Sequence, residues 1–317
     1  MELDNEGVTY RPVVVGEVVL SRYRVSMPAK ATFTVAKDDT INFQEGNEVR
    51  IYWDGVLCFL GYVFSKKRDK EEQIAVCAYD QLRYLKNKAS YIFQNKKASD
   101  MVKEICGDYQ LQTGTISDSG FVFGIRVEDD MPLLDILQNA IDDTYANTGQ
   151  QYVLFDDGGK ISLQHAEELK SNYVLTEGNA ENFSYESTID RGTYNQVRLT
   201  SSGKKENVTE YLAKNEDAIG TWGVLQLTGT VKEEENGAQK AQVLLENSAV
   251  VWRRLVFFDA LGDISIRGGS TITVHMEKTG DIFYHQPMTV EWVHHRFGEK
   301  GHRMELCVRG GRINATK

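Results

Sequence analysis

One stretch of this sequence leaves few folds open to it. Residues 46–87 read GNEVRIYWDGVLCFLGYVFSKKRDKEEQIAVCAYDQLRYLKN. Val49, Ile51 and Trp53 alternate with Arg50, Tyr52 and Asp54, the two-residue period of a half-buried strand. Asp54-Gly55 then supplies the dipeptide of a tight hairpin, whose φ > 0 positions suit Asp and Gly. Val56 to Phe64 is an apolar run broken by Gly61, too short to cross a bilayer. Gly61 predicts a bulge or a barrel corner. Ser65 to Glu72 is expected to be a charged tip, and Gln73 to Tyr79 a returning strand. Ala78 to Leu85 (AYDQLRYL) closes the unit as a short helical or turn segment. An antiparallel meander of this kind must hide its strand edges, and rolling into a small barrel does so.

The pattern returns near the C-terminus. Gly269 to Gly310 reads GSTITVHMEKTGDIFYHQPMTVEWVHHRFGEKGHRMELCVRG. Gly46 is followed by Val49 and Ile51, and Gly269 by Ile272 and Val274 at the same offsets. Leu57-Cys58-Phe59 is set against Asp281-Ile282-Phe283, and Ile74-Ala75-Val76-Cys77 against Met304-Glu305-Leu306-Cys307. The expectation is one small β-barrel occurring twice.

Between and around these units the period changes. Val13 to Val15, Glu17 to Leu20 and Ala31 to Val35 add strands to the first barrel. Lys97 to Gln110 predicts a helix with Ser99 as N-cap, Met101, Val102, Ile105 and Cys106 on one face, and Gly107 near its end. Met131 to Asn147 predicts a second helix, capped by Asp130, with Pro132 in its first turn. Phe121 to Val127 is a strand, and residues 151–163 a hairpin around Asp156-Asp157-Gly158-Gly159. Asn182 to Glu186 and Asn195 to Thr200 are strands. Ser201 to Lys205 is a polar loop, and residues 206–250 look inserted, with Ala238, Ala241, Leu244, Leu245, Ser248 and Ala249 on one helix face. The tail GGRINATK is expected to fray. The domains read are 1–95, an N-terminal β-barrel; 96–180, an α/β domain; and 181–317, a C-terminal β-barrel with a helical insert near 206–250. The fold class is β-rich α+β.

Charge and cysteine usage narrow the function. The 317 residues carry a formal charge of −10, which argues against tight phosphate-backbone binding. Cys58, Cys77, Cys106 and Cys307 lie far apart and form no disulfide framework. The opening residues are polar and acidic, with no signal peptide, and no apolar run reaches the ~18 residues of a membrane span. The expectation is a soluble chain made in a reducing cytoplasm, where the Asn-x-Ser/Thr matches at Asn182, Asn207 and Asn314 carry no sugar.

No catalytic, metal or cofactor-binding residue is assigned. His285, His294, His295 and His302 are the one cluster of metal-type ligands, but strand neighbours point to opposite faces. His294 and His295 therefore cannot chelate one ion from a regular strand. Asp129-Asp130 and Asp142-Asp143 are acidic pairs that nothing places across a cleft, as glycoside hydrolysis would require. Glu233-Glu234-Glu235 is a solvated charge run before a helix. Ser65 to Lys70 is the one basic cluster, read as a solvated hairpin tip or a contact for an acidic partner or for DNA. No P-loop, GxSxG or GxGxxG motif is present.

The order of parts is similar to that of the XkdQ/YqbQ-like phage proteins, relatives of the late control protein D-like baseplate hub of contractile tails. The residues carrying the resemblance are Phe59-Leu60-Gly61-Tyr62-Val63, the run Ala78 to Asn87, Thr221 to Gln226, Leu261-Gly262, Ile266 to Ser270, Val293 to Phe297 and His302 to Leu306. AYDQLRYL is the most specific of these. Trp222 stands where the pattern favours Tyr. The resemblance implies a structural hub without catalysis, built from two barrels of the tail-tube type. Three copies would present six barrels in a ring of quasi-sixfold symmetry, joining the tail tube to the central spike. The implied partners are further copies of the chain as a homotrimer, the tail tube protein, the spike protein and other baseplate proteins. DNA would meet it only in passage through the lumen, and no membrane insertion is expected. The implied location is the tail baseplate of a virion or prophage particle, assembled in the bacterial host cytoplasm. A tail-associated peptidoglycan hydrolase and a carbohydrate- or receptor-binding β module are the competing readings.

Overall fold

The computed structural model describes residues 1–201, 208–231, 235–279 and 282–310. Most of the polar loop at 201–205, Glu233 and Glu234 of the acidic run, Asn207, Asp281 and the tail from 311 with Asn314 lie outside the described residues. The first unit comprises β1 (Glu2–Asn5), β2 (Val8–Tyr10), β3 (Val14–Tyr23), β4 (Lys30–Ala36), β5 (Glu48–Trp53), β6 (Val56–Arg68) and β7 (Gln73–Tyr79). The middle unit comprises β8 (Lys88–Lys97), α1 (Ala98–Asp108), β9 (Thr113–Ile116), β10 (Val122–Pro132), α2 (Leu133–Thr148), β11 (Tyr152–Asp156) and β12 (Ile161–His165). The second β unit begins with β13 (Lys170–Thr176) and β14 (Asn182–Thr188). An insert follows, of β15 (Gln196–Ser201), β16 (Glu210–Lys214), α3 (Glu216–Trp222), β17 (Gln226–Val231) and α4 (Gly237–Ser248). The unit then resumes with β18 (Trp252–Leu261), β19 (Thr271–Thr279), β20 (Ile282–Gly298) and β21 (Gly301–Arg309).

The two β units form one 13-stranded sheet, ordered β14-β18-β21-β20-β3-β4-β7-β6-β5-β1-β2, with β19 on β20 and β13 on β19. Within it the echo holds at the level of register. Tyr62 faces Tyr79 and Val63 faces Ala78, then Phe64 bulges out before Ser65 faces Cys77. Thr289 faces Arg309 and Val290 faces Val308, then Glu291 bulges out before Trp292 faces Cys307. Glu48 pairs with Tyr62 as Thr271 pairs with Thr289. The loop ahead of each unit repeats one hydrogen-bond pair. Gly46 N donates to Val63 O at 2.8 Å and Val63 N to Asn47 O at 2.9 Å; Gly269 N donates to Val290 O at 2.7 Å and Val290 N to Ser270 O at 2.8 Å. The ladders correct one part of the alignment: Phe59 corresponds to Gln286, not to Phe283, because the second hairpin is longer. They also place β14 and β18 where β3 and β4 stand, so the insert replaces a short hairpin connection.

Each unit encloses its own apolar core. Leu3, Leu20, Phe33, Val35, Val49, Ile51, Phe59, Val63 and Val76 share one cluster, and Leu255, Phe257, Ile272, Val274, Val290, Val293 and Leu306 another. Neither cluster contains a helix residue. A flat sheet would leave such a face in water, so each unit is rolled onto itself. Burying Leu20 or Phe33 there contributes about 1.5–3 kcal/mol each. The expected barrels are thus rolled sheets, and their ladders stay open among the described residues. Gly61 lies in regular register opposite Val49 and is not a bulge. A Cβ there would sit 2.4 Å from the Tyr79 carbonyl oxygen, so close packing demands the glycine. Ser65 to Arg68 belong to β6, and only residues 69–72 form the tip.

The middle unit packs α1 and α2 on β8 to β12 around Phe93, Met101, Ile105, Leu134, Leu137 and Leu163. Ser99 is not the N-cap of α1. It is buried against Ser119, and the Asp100 carboxylate instead accepts from the Lys97 backbone N–H at 3.0 Å. Gln110, at φ +54°, takes the left-handed position after that helix in place of Gly107. Asp130 sits in the β8–β10 bulge at φ +47°, bonded to Lys88, and Pro132 precedes α2. The insert is a small sheet, β16-β15-β17, covered by α4 through Ala241 and Leu245.

Candidate functional site

The two rolled sheets are joined where the C-terminal half of β20 leaves β19 and pairs with β3. Tyr23 faces Trp292, Ser21 faces His294 and Val19 faces Arg296. Alternation sends Trp292 and His294 outward, stacked with centroids 4.6 Å apart, and sends Val293 and His295 inward. Behind this seam lies Arg22, whose guanidinium donates to Ile264 O at 3.0 Å, to Ile266 O at 3.4 Å and to Cys58 O. It ties β3 to the 264–266 turn of the second unit and to β6 of the first. Burial, with Arg267 nearby, brings its pKa down to about 10, so it stays charged at neutral pH. His295 is fully buried. Its Nε2 lies 2.9 Å from Ile266 O, which can only accept, so Nε2 carries the proton. Nδ1 then accepts from His302 Nε2 at 3.0 Å. Trp53 and Phe297 flank the pair.

The AYDQLRYL run is the joint to the middle unit. Asp80 caps the short 3-10 turn at 81–86, accepting from Leu82 N at 3.1 Å, and its other oxygen accepts from Ala29 N at 2.9 Å. Gln81 donates to Gly159 O and accepts from Gln112 N at 3.3 Å. Leu82 and Leu85 enter the helix-centred core. Tyr79 and Tyr84 pack on Phe64, 5.5 and 5.9 Å between centroids. Asp156 faces Asp80 and accepts from Gly159 N at 2.6 Å; burial pushes its carboxyl up to about 6. Burial, then Asp156, raises Asp80 well above the usual carboxylate range. Arg267 covers the Phe155 ring at 4.3 Å and pairs with Asp157 at 3.0 Å.

This arrangement sets a pH response. Burial holds His302 down at about 4 and His295 well below its usual value. A histidine whose folded pKa is depressed contributes stability that is lost as pH falls from about 6.5 through the folded pKa. Asp80 and Asp156 have the opposite sign: their raised pKa values contribute stability at low pH that is lost as pH rises through about 6. His302→Gln keeps an N–H for His295 and removes one titrating ring. The urea midpoint of this variant should fall less steeply between pH 6.5 and 4 than that of the parent. An unchanged slope would show that the seam histidines do not set the acid limb.

The remaining sequence candidates fall into structural places. His285 pairs with His275 at 2.8 Å across β19 and β20, apart from the buried His295–His302 pair. Among the described residues no three His, Cys, Asp or Glu side chains come together as a metal site. Asp129 accepts from Ser90 Oγ at 2.6 Å, Asp142 accepts from Gln138 at 2.8 Å, and Asp143 pairs with buried Arg126 at 2.6 Å. All four cysteines are free, and burial pushes Cys106 up to about 11 and raises Cys58 and Cys307. No helix among the described residues is long and apolar enough to cross a membrane. Arg22, Arg267 and Asp156, the side chains that knit the seam, carry no local signal, because their partners lie up to 244 residues away.

Two of the open strand edges belong to β14 and β6. β14 ends the sheet, with β18 as its one strand partner among the described residues. β6 runs on past β5, so Phe64 to Arg68 face β7 on one side only. Ser65 to Arg68 are exposed, and so is most of β14.

Comparison with known proteins adds a lineage to this geometry. The sequence profile of a family described as YQBQ-like matches residues 18–309. The chain is 29% identical over 296 residues to the phage-like element PBSX protein XkdQ of Bacillus subtilis, covering 90% of this chain and 89% of that one. Among solved structures it is similar to the 43 kDa tail protein of prophage MuSo2 from Shewanella oneidensis, with a TM-score of 0.72, 14% identity and 97% of each chain covered. It is also similar to the c3393 protein of E. coli, with a TM-score of 0.57, 11% identity, 98% of this chain and 77% of that one covered. That protein is described as a component of the type VI secretion system with structural similarity to T4 tail proteins gp27 and gp5.

Proposed function

The chain belongs to the YQBQ-like family and has the fold of phage tail proteins, and from that membership we propose that it is a structural hub of a contractile-tail baseplate. Three copies form a ring that presents six rolled sheets, so that a threefold assembly imitates a hexagon. One face of the ring meets the sixfold tail tube and the other the central spike, with other baseplate proteins around it. The observation that supports this reading best is the repeat of bulge, ladder register and flanking loop bonds in the two β units. Equivalent units can occupy equivalent positions around one axis. The proposal includes no catalytic role and places the chain in the tail of a virion or prophage particle assembled in the host cytoplasm.

DNA is a passing occupant of the channel in this reading. The chain's acidic excess does not sit on the outward face of the joined sheet. That face carries Lys30, Arg50, Lys67, Arg254, Arg296, Arg303 and Arg309 against Glu2, Asp4, Glu17, Glu48, Glu186, Glu277 and Glu305, a balance of the two signs.

The test is the mass of the purified chain in solution, alone and with the spike protein of the same particle. A trimer in either sample is expected. A monomer in both, at concentrations where the spike itself is trimeric, removes the hub reading. Cleavage of cell-wall substrate by the purified chain would favour a hydrolase, and glycan binding a receptor-binding module.

A further inference from the structure

The β3–β20 contact inside one chain has a counterpart that the chain cannot make with itself. The register of the repeat identifies its members. Leu20 faces Ala31, and Tyr185 faces Leu255. Ala31 and Leu255 in turn face Ala78 and Val308, which are equivalent in the two units. Leu20 therefore corresponds to Tyr185, and Tyr23 to Thr188. On the other strand the matched bulges make Phe64 equivalent to Glu291 and Ser65 to Trp292. Within the chain, β3 occupies the edge of β20 that lies beyond β19. The same edge of β6 beyond β5 is open, and so is the outer edge of β14, the equivalent of β3.

We infer that β14 of one copy pairs antiparallel with the end of β6 of the next copy, in the register Thr188↔Ser65, Ser187↔Lys66, Glu186↔Lys67 and Tyr185↔Arg68. The inference rests on the ring proposed above and names its interface. The backbone bond from Arg24 N to Glu291 O, 2.9 Å inside the chain, recurs as Ile189 N to Phe64 O of the neighbouring copy.

The side chains agree with this register independently of the topology. It sets Glu186 opposite Lys67, both exposed and neither in an ion pair among the described residues. Opposite charges on facing strand positions favour pairing, and like charges oppose it. Where the internal seam has the ion pair Arg24–Glu291 at 3.0 Å, the external one has Ile189 against Phe64. Ile189 is 37% exposed in the single chain, and this contact covers it. The basic cluster of Ser65 to Lys70 thus gains an acidic partner on a second copy. A slip of one residue in register would bring Glu186 onto Lys66 or Arg68 and turn every side chain to the other face. The contact is head-to-tail, using different surfaces on its two sides, so it closes into a ring when the rotation per copy allows.

Because Arg24 and Glu291 form a hydrogen-bonded pair, the next pair along, Tyr23 and Trp292, is a non-hydrogen-bonded one with the shorter Cα separation. Thr188 and Ser65 inherit that geometry, which suits a disulfide. The experiment uses the full chain with Cys77→Ala, since Cys77 faces Ser65 across β6 and β7. Chains carrying Ser65→Cys alone and Thr188→Cys alone are mixed and oxidised, and the double variant is oxidised by itself; the spike protein is included if it is needed for trimers. The mixture should give a covalent dimer, and the double variant a ladder ending at three chains. Ser184→Cys with Ser65→Cys, four positions out of register, should give at least about tenfold less. Lys67→Glu should weaken association by about tenfold, and Glu186→Lys in the same chain should restore it. A trimer that fails to cross-link at Ser65 and Thr188, or that cross-links equally out of register, overturns this interface and leaves the ring standing. A chain that stays monomeric with the spike present overturns both.

Discussion

Gly268→Val should prevent the two rolled sheets from staying joined. A Cβ at this position would lie 2.2 Å from the backbone nitrogen of Arg24 and 2.2 Å from the carbonyl carbon of Tyr23. Those atoms belong to the end of β3, which is held on one side by β4 and on the other by β20. Neither backbone can yield by rotating a side chain, so the strain falls on the ladder itself. The next residue, Gly269, is fixed by its bond to Val290, which closes the other escape. Overpacking of this kind costs about 3 kcal/mol or more when backbone must move. The urea midpoint, followed by the fluorescence of Trp53 and Trp292 beside the seam, should drop steeply, and the proposed ring should not form. Gly107→Ala is the control. A Cβ there meets nothing within 4 Å, and removing a helical glycine from α1 should stabilise by about 0.5–1 kcal/mol. A Gly268→Val midpoint equal to that of the parent would mean that the approach of the turn to β3 is not fixed in solution.

Much of this fold is legible in the sequence, for an identifiable reason. The meander of β5, β6 and β7 and its echo in β19, β20 and β21 are half-buried sheets, and alternation across a sheet writes burial directly into sequence. The same rule separates His294 from His295: one stacks outward on Trp292, the other is fully buried. It fails at Ser65 to Arg68 because these residues are exposed on both faces, so a strand reads as a charged tip. It fails at Asp130 because an acidic residue before a helical period satisfies the local rule for a cap. The β8–β10 ladder overrides that rule and bonds Asp130 to Lys88 instead. Ser99 is drawn away from capping in the same way, by Ser119. The seam is illegible for a different reason. Arg22 has Arg24 as its nearest charged neighbour in sequence, and its carbonyl partners appear only when two units distant in the chain are rolled together. AYDQLRYL stands between these cases. Its pattern is specific because Asp80, Gln81, Leu82 and Leu85 each meet a separate demand of one joint, though those demands are visible only in the fold.

Arg22→Met tests whether that seam is a designed joint or an incidental contact. Methionine keeps an unbranched stem of similar length, so apolar packing along β3 is largely retained. What disappears is the guanidinium and its bonds to the carbonyls of Ile264, Ile266 and Cys58. Ile266 O keeps its bond from His295, but the Ile264 and Cys58 carbonyls lose theirs, at about 1–3 kcal/mol each, partly offset because a buried charge is removed. The net loss should be about 2–4 kcal/mol, seen as a lower urea midpoint with an unchanged slope. Arg22→Lys should recover little, since an ammonium cannot reach three carbonyls in a fixed fork. A second readout separates this joint from simple loss of packing. Arg22 is, after burial, the next cause that holds His295 down, and it also lowers His302. Without it both imidazoles protonate at higher pH, so the acid limb of stability should become shallower and shift toward the ordinary histidine range. A loss of midpoint with no change in the pH profile would leave Arg22 as packing alone. A change in both would mean that one cation fixes the neutral histidine pair, the 264–266 turn and the β6 carbonyl in a single geometry.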